Sequence, residues 1–420
     1  MIVLSGAALV LPDRILSPGT LTINDGRIVE IRPDLPSGAH AAFGFPGHYI
    51  VPGFIDVHVH GVAGVDTLDP DITDAIDQIA ATLPRYGVTA FCPTTVACTP
   101  TALRRVLDQV RRARESQRAG SSRVLPAHLE SNFINPDYNG AQPAACLRSP
   151  RAALGPGGER RAANTGGLRQ PRGEDTQFSG SEILAEIERA RPDVGIVTLA
   201  PELDGGIDLV RWLAERGHRV SLGHSGATFD EALAAITAGA CHATHLFNRM
   251  PPLNHRAPGL AGAVLQADEV AAEIICDGFH VHPALVRAAI AAKRPSRVMA
   301  ITDATAAAGL PPGSRARLGG RPILAGDSTA LLDDGTIAGS VLTMDRAFQI
   351  LIGRVGLSPV DAVTLCATTP ARELGLVGHG ILAPEAAADL VVLVQNFTVV
   401  QTYVGGQLAY SRNTAAPGSV

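Results

Sequence analysis

The segment Asp56-Val57-His58-Val59-His60 sets two imidazoles two residues apart in an apolar, β-branched run. Side chains alternate along an extended strand, so both rings point to one face and can hold a divalent cation between them. Such a pair also arises by chance. Here it follows Val51-Pro52-Gly53-Phe54-Ile55, and further residues of ligand type recur at the ends of later apolar runs. They are Glu130 in His128-Leu129-Glu130, His224 in Leu222-Gly223-His224-Ser225, His245 in Thr244-His245-Leu246-Phe247-Asn248, and Asp303 in Thr302-Asp303-Ala304. Taken singly, His224 or His245 can be a satisfied core histidine, and Glu130 or Asp303 a strand-end cap. Taken together they favour a metal site, because buried ionisable groups are costly unless paired or bound to a cation. Imidazole and carboxylate suit a divalent transition metal, zinc first, with iron or another such metal as the alternative. An ion of this kind can lower the pKa of bound water and polarise a carbonyl, and a nearby carboxylate can shuttle a proton.

Short β-branched apolar segments alternate with longer amphipathic ones through the middle of the chain, which predicts parallel strands joined by helices. The strand candidates are Phe54–His60, Gly87–Thr95, Arg123–Ser131, Val194–Glu202, His218–His224, Ala240–Phe247, Ala271–Gly278 and Arg297–Ala304. Helices are expected at Thr101–Arg118, Ser181–Arg191, Asp230–Ala238 and Pro283–Ala292, among others. The fold expected is α/β, a (β/α)8 TIM-like barrel over residues 49–376, whose chemistry would sit at the carboxyl ends of the strands. Residues 1–48 instead read as hairpins, with an Asp-Gly turn in GTLTINDGRIVEIRP, and the last forty residues return to that texture. Residues 1–48 and 377–420 are therefore expected to form one small β-sandwich domain from both termini. Residues 148–180, rich in Gly and Arg, read as a long loop after the third strand, either a lid or a tolerated insertion.

With 420 residues, 46% of them hydrophobic, the chain can bury a large core. A net charge of -5 gives no electrostatic case for nucleic acid or an anionic membrane and leaves a small-molecule substrate as the expected partner. The N-terminal stretch lacks the pattern of a secretory leader, and no apolar run is long enough for a membrane span, so a soluble cytoplasmic protein is expected. The six cysteines are scattered, without a CxxC pair, and read as small buried hydrophobes.

Longer motifs carry a resemblance. They are VPGFIDVHVHG (51–61), HLE (128–130), TLAPE (198–202), SLGHSGATFDEA (221–232), THLFNRMPPLNHRAPGLAGAVL (244–265), CDGFHVHP (276–283), TDATAAAGLPPG (302–313), GTIAGSVLTMDRAF (335–348) and ATTPARELGL (367–376). On these the chain resembles the amidohydrolase superfamily and, within it, the N-acetylglucosamine-6-phosphate deacetylase family. The resemblance implies that Glu130, His224 and His245 hold a principal metal. It implies that His58 and His60 can hold a second, with Glu130 bridging, so one or two ions are expected. Asp303 would be general base toward the activated water and then acid toward the leaving amine. His280 would touch the sugar or polarise the carbonyl, and Asn248 and Arg256 would lie at the phosphate end. In relatives the arginine of this His-Arg pair, Arg256 here, can come from a neighbouring subunit, which implies a homodimer.

The resemblance has gaps. Relatives usually follow HLE with Gly-Pro-Phe and reach a Lys-Gly-Ala-His turn, whereas this chain has Ser131-Asn132-Phe133 and then Asn139-Gly140-Ala141-Gln142. Arg249 stands where Ala is usual. A lysine lost and an arginine gained move positive charge from one wall to another, which makes Gln142 and Arg249 candidate substrate contacts and changes the substrate before the hydrolytic core. The activity expected is metal-dependent deacetylation of an N-acetylated amino sugar, N-acetylglucosamine 6-phosphate or a close analogue. The alternatives are another N-acyl amino sugar or amide, phosphorylated or not, and a non-catalytic sugar-binding homologue.

Overall fold

The computed structural model describes residues 1–34, 43–155 and 177–412. Eight parallel strands form the barrel: β1 Phe54–Val59, β2 Val88–Thr95, β3 Ala127–Glu130, β4 Val194–Leu199, β5 Arg219–Leu222, β6 Ala240–Ala243, β7 Ala271–Ile275 and β8 Val298–Ile301. Every residue of β1, β2, β4 and β7 is buried, as expected of strands covered on both faces. Each of the eight lies within its sequence candidate. The helices fall where the amphipathic pattern puts them, including Pro100–Glu115, whose Leu103, Val106, Leu107 and Val110 form one buried stripe. Capping boxes at Ser179/Glu182 and Thr228/Glu231 start the helices Gly180–Arg189 and Phe229–Thr237.

The barrel closes between its first and last strands. His60 N–H donates to Ala304 O at 2.8 Å and Asp303 N–H to His58 O at 3.0 Å. Beside this seam the fully buried Asp56 carboxylate accepts from the Thr302 hydroxyl at 2.6 Å. Burial pushes Asp56 up to about 7, against the hydrogen bonds of Thr302 and the His58 N–H.

A four-stranded antiparallel sheet, Arg315–Leu318, Arg321–Ala325, Thr329–Leu332 and Ile337–Ser340, follows β8. The sequence reading does not contain it, although Gly319-Gly320 and Asp334-Gly335 are hairpin turn signals between short apolar runs. Strands from both termini join in one further sheet, which reaches from Ile2–Val10 to Gln407–Ser411 and takes in Tyr49–Pro52. It has its own apolar cluster, including Leu4, Leu9, Leu21, Ile28, Ile50 and Leu390. Of the 148–180 segment, residues 156–176 lie outside the described residues, and with them the expectation of a lid. At its flanks the Arg148 guanidinium lies 3.7 Å over the Phe178 ring, and Pro150–Ala153 forms a short helix. Among the described residues no helix is long and apolar enough to cross a membrane.

Asp389 ties the terminal sheet to the barrel. Its carboxylate accepts from the Arg123 guanidinium at 3.0 and 3.1 Å, from His379 Nδ1 at 2.9 Å and from Gly405 N–H at 2.6 Å. Burial pushes the group up, but the hydrogen bonds of His379 and Arg123 outweigh it and hold Asp389 below the usual carboxylate range. A carboxylate with a depressed folded pKa adds stability above its unfolded value near 4, and that contribution fades as pH falls through the folded value. Asp389→Ala is expected to cost about 2–3 kcal/mol at pH 7, read by urea unfolding. The difference from the parent should shrink toward pH 3; a difference independent of pH would contradict the assignment.

Candidate metal centre

Each candidate ligand stands at or just past a strand end. His58 lies within β1 and His60 one residue beyond it, Glu130 closes β3, and His224, His245 and Asp303 each lie two residues after β5, β6 and β8. Those last three have left-handed backbones, with φ of 48°, 32° and 50°. Such φ values are uncommon without glycine and collect at functional sites, and here each marks the point where the chain leaves its strand. Asp303 is held in that kink by its own backbone, since Ser340 N–H donates to Asp303 O at 2.8 Å. The approach requires Gly339 (φ 64°), because a Cβ there would stand 2.9 Å from Asp303 O.

The rings and acids converge. Glu130 Oε1 lies 3.1 Å from His224 Nε2, 3.0 Å from His245 Nε2 and 3.5 Å from His58 Nε2. Its other oxygen is 3.4 Å from His60 Nε2. Asp303 Oδ1 lies 3.4 Å from His58 Nε2 and 3.3 Å from His60 Nε2. Two sets, Glu130/His224/His245 and His58/His60/Asp303, each bring their ligand atoms within 4.8 Å of one another.

The donor set fits a cation. His58 Nε2 faces His60 Nε2 at 3.2 Å and His224 Nε2 faces His245 Nε2 at 3.0 Å. Paired ring nitrogens with converging lone pairs repel unless a proton or an ion lies between them. Burial lowers His60, yet the hydrogen bonds to Asp303 and Glu130 overcome it and push His60 up to about 10. Glu130 is raised by burial, but the neighbouring imidazoles His224 and His58 outweigh that and hold it well below the usual range. The site therefore calls for positive charge, and a divalent ion would supply it in place of protons.

These groups open on a cavity of about 510 Å³. His60, Glu130, His224, His245 and Asp303 line it, as do the substrate candidates His280, Asn248, Arg249 and Gln142. His280 Nδ1 is 2.6 Å from Asp277 Oδ2, while its buried Nε2 has no hydrogen-bond partner among the described residues. Both ends of the Gln142 amide are engaged: Nε2 donates to Glu130, and Oε1 accepts from Ala97 N–H at 2.7 Å. Gln142 thus buttresses Glu130 as well as lining the cavity. Arg249 has a left-handed backbone (φ 51°) and packs against Gly140, where a Cβ would stand 2.5 Å from its Nε. Arg256 is exposed and is not among the lining residues.

The sequence reading missed the supports of the centre. Tyr138 O accepts from His224 Nδ1 at 2.8 Å, Asp277 holds His280, and Glu273 holds His58 Nδ1 at 3.0 Å. Only Asp277, in the quoted DGFH motif, carried a sequence signal.

Residues 49–409 match the amidohydrolase family. The chain belongs to the amidohydrolases. It is 33% identical over 391 residues to the N-acetylgalactosamine-6-phosphate deacetylase of Escherichia coli O157:H7, covering 93% of this chain and 94% of that one. It is 32% identical over 411 residues to the N-acetylglucosamine-6-phosphate deacetylase of Bacillus subtilis (strain 168), covering 96% of each. Among solved structures, a mutant N-acetyl-D-glucosamine-6-phosphate deacetylase from Mycobacterium smegmatis, in complex with N-acetyl-D-glucosamine-6-phosphate, superposes with a TM-score of 0.83. That match has 30% identity and covers 98% of this chain and 99% of the other. This amidohydrolase is accordingly a metal-dependent hydrolase of an amide C–N bond built on a (β/α)8 barrel.

Proposed function

We propose that the chain deacetylates an N-acetylated amino-sugar phosphate, N-acetylglucosamine 6-phosphate or its galacto epimer, releasing acetate and the free amine. The observation that carries this reading is the convergence of Glu130, His224 and His245 beside Asp303, in a cavity large enough for one phosphorylated sugar. Relatives of both sugar specificities, at nearly equal identity, leave the two epimers as joint candidates.

Glu130, His224 and His245 would hold a principal ion, and His58, His60 and Asp303 a second, zinc being the first choice for these donors and iron the next. Bound there, the cation polarises the amide carbonyl and lowers the pKa of water. Asp303 takes the proton of the attacking water on its carboxylate and delivers it to the amine nitrogen as the C–N bond breaks. Asp277 accepts from His280 Nδ1, which leaves Nε2 free to meet the carbonyl or a sugar hydroxyl. Asn248 and Arg249 would receive the anionic end of the sugar. Arg256, exposed on the segment Pro251–Pro258 beside the exposed Leu253, would reach the other subunit's cavity in a homodimer. Six free cysteines accord with a reducing compartment, and the cytoplasm is the proposed location.

The test is acetate release from a panel containing both epimers, each with and without the 6-phosphate, using protein of measured metal content. Turnover of a phosphorylated epimer, lost on chelation and restored by zinc or iron, is expected. A metal-loaded preparation that releases no acetate from any member would refute the proposal. Turnover confined to sugars without phosphate would favour the second reading, which the exposure of Arg256 motivates.

A further inference from the structure

Against the far nitrogen of His58 lies Glu273, in the middle of β7 and fully buried. Its Oε2 is 3.0 Å from His58 Nδ1, and it does not line the cavity. Among the described residues its Oε1 has no hydrogen-bond partner, and His128 Nδ1 lies 3.8 Å from it. His58, His128 and Glu273 come within ligand distance of one another. They are not a further ion site, because both nitrogens of His128 are engaged, Nδ1 with Val57 O at 2.9 Å and Nε2 with the Thr198 hydroxyl at 2.8 Å. A carboxylate sealed in a barrel costs several kcal/mol of desolvation, and with only His58 within side-chain hydrogen-bond distance and the His245 backbone N–H nearby, its place there calls for a function.

We propose that Glu273 is the positioning residue that makes His58 a metal ligand and so sets the occupancy of the His58/His60/Asp303 position. In the tautomer whose Nδ1–H donates to the Glu273 carboxylate, the ring lone pair resides on Nε2, 3.2 Å from His60 Nε2 and within 3.5 Å of both Glu130 and Asp303. A carboxylate behind a ligating imidazole fixes its tautomer and orientation and raises its basicity. The other three rings lack such support among the described residues: His224 Nδ1 has the neutral carbonyl of Tyr138, and Nδ1 of His60 and of His245 has no hydrogen-bond partner. The two ion positions are therefore built differently, and the ring that Glu273 holds belongs to the His58/His60/Asp303 position.

This rests on the metal-site reading above and is tested by counting ions rather than by turnover. Parent, Glu273→Leu and Glu273→Gln proteins are dialysed at graded, buffered free zinc, and zinc per chain is measured by mass spectrometry, with thermal melts of the zinc-free proteins confirming that each is folded. The parent is expected to bind two ions. Glu273→Leu should weaken the second by about 10–100-fold, and Glu273→Gln, which keeps an oxygen to accept the Nδ1–H, by about 10-fold. The first ion should be unmoved in both. A second ion held with parent affinity in either variant, or equal weakening of both ions, overturns the proposal. A parent that binds no zinc is a different result, which removes the metal-site reading itself.

Discussion

Asp303→Asn should lower kcat by about 100- to 10,000-fold while leaving the fold and the principal ion of Glu130, His224 and His245 in place. The size follows from the lack of a substitute. Glu130 hydrogen-bonds the rings of His224 and His245, Asp277 is paired with His280, and Glu273 is sealed from the cavity. Among these carboxylates Asp303 lines the cavity and contacts the His58/His60 pair without being hydrogen-bonded to His224 or His245. Amide cleavage needs a proton removed from water and one delivered to nitrogen, and an amine leaves poorly without the second. Asparagine can do neither, yet it keeps the shape. It also tolerates a left-handed backbone, so φ of 50° at this position remains accessible. The hydrogen bonds that hold the kink run through backbone atoms, to His58 O and from Ser340 N–H, and survive the change. KM should stay within a few-fold, because the lost interaction belongs to the transition state. Steady-state acetate release beside zinc analysis checks this, and a variant within threefold of the parent in kcat would remove Asp303 from the proton path.

The barrel and most of its centre were legible because one rule governs both. Strands buried on both faces announce themselves as unbroken apolar runs, and a charged or imidazole residue at such a run's end has few uses but chemistry. Glu273 escaped that rule. It sits inside Ala271–Ile275 rather than at its end, where alternation cannot distinguish a carboxylate aimed into the barrel from one aimed outward. The role of Gln142 was only half legible for a related reason: its place in the turn where relatives have Lys-Gly-Ala-His marked it as near the substrate, but the partners of its amide depend on Ala97 and Glu130, 45 and 12 residues away. Arg256 shows the opposite case, a residue singled out by its motif that a single chain leaves in solvent. The small sheet after β8 was missed although its turns are glycine-marked, since its strands are short and partly exposed and so lack the apolar runs that betray the barrel.

Glu130→Gln should abolish both metal binding and turnover, the latter by about 1,000-fold or more if the ion's stabilisation of charge is worth several kcal/mol. Among the described residues Glu130 is the one carboxylate within 3.5 Å of all four imidazoles, so a neutral amide there removes charge from both ion positions at once. The amide also brings N–H donors toward ring nitrogens whose lone pairs must face a cation, and the buttressing contact from Gln142 Nε2 would meet a weaker acceptor. Folding provides an independent readout. An ion that binds only the native state stabilises it by about 4 kcal/mol at a thousand times its dissociation constant, so zinc should raise the parent's melting temperature by several degrees and leave that of Glu130→Gln where it was. Were the variant to retain one tightly held zinc per chain, Glu130 would not be the shared ligand, and the centre would have to be rebuilt around the histidines alone.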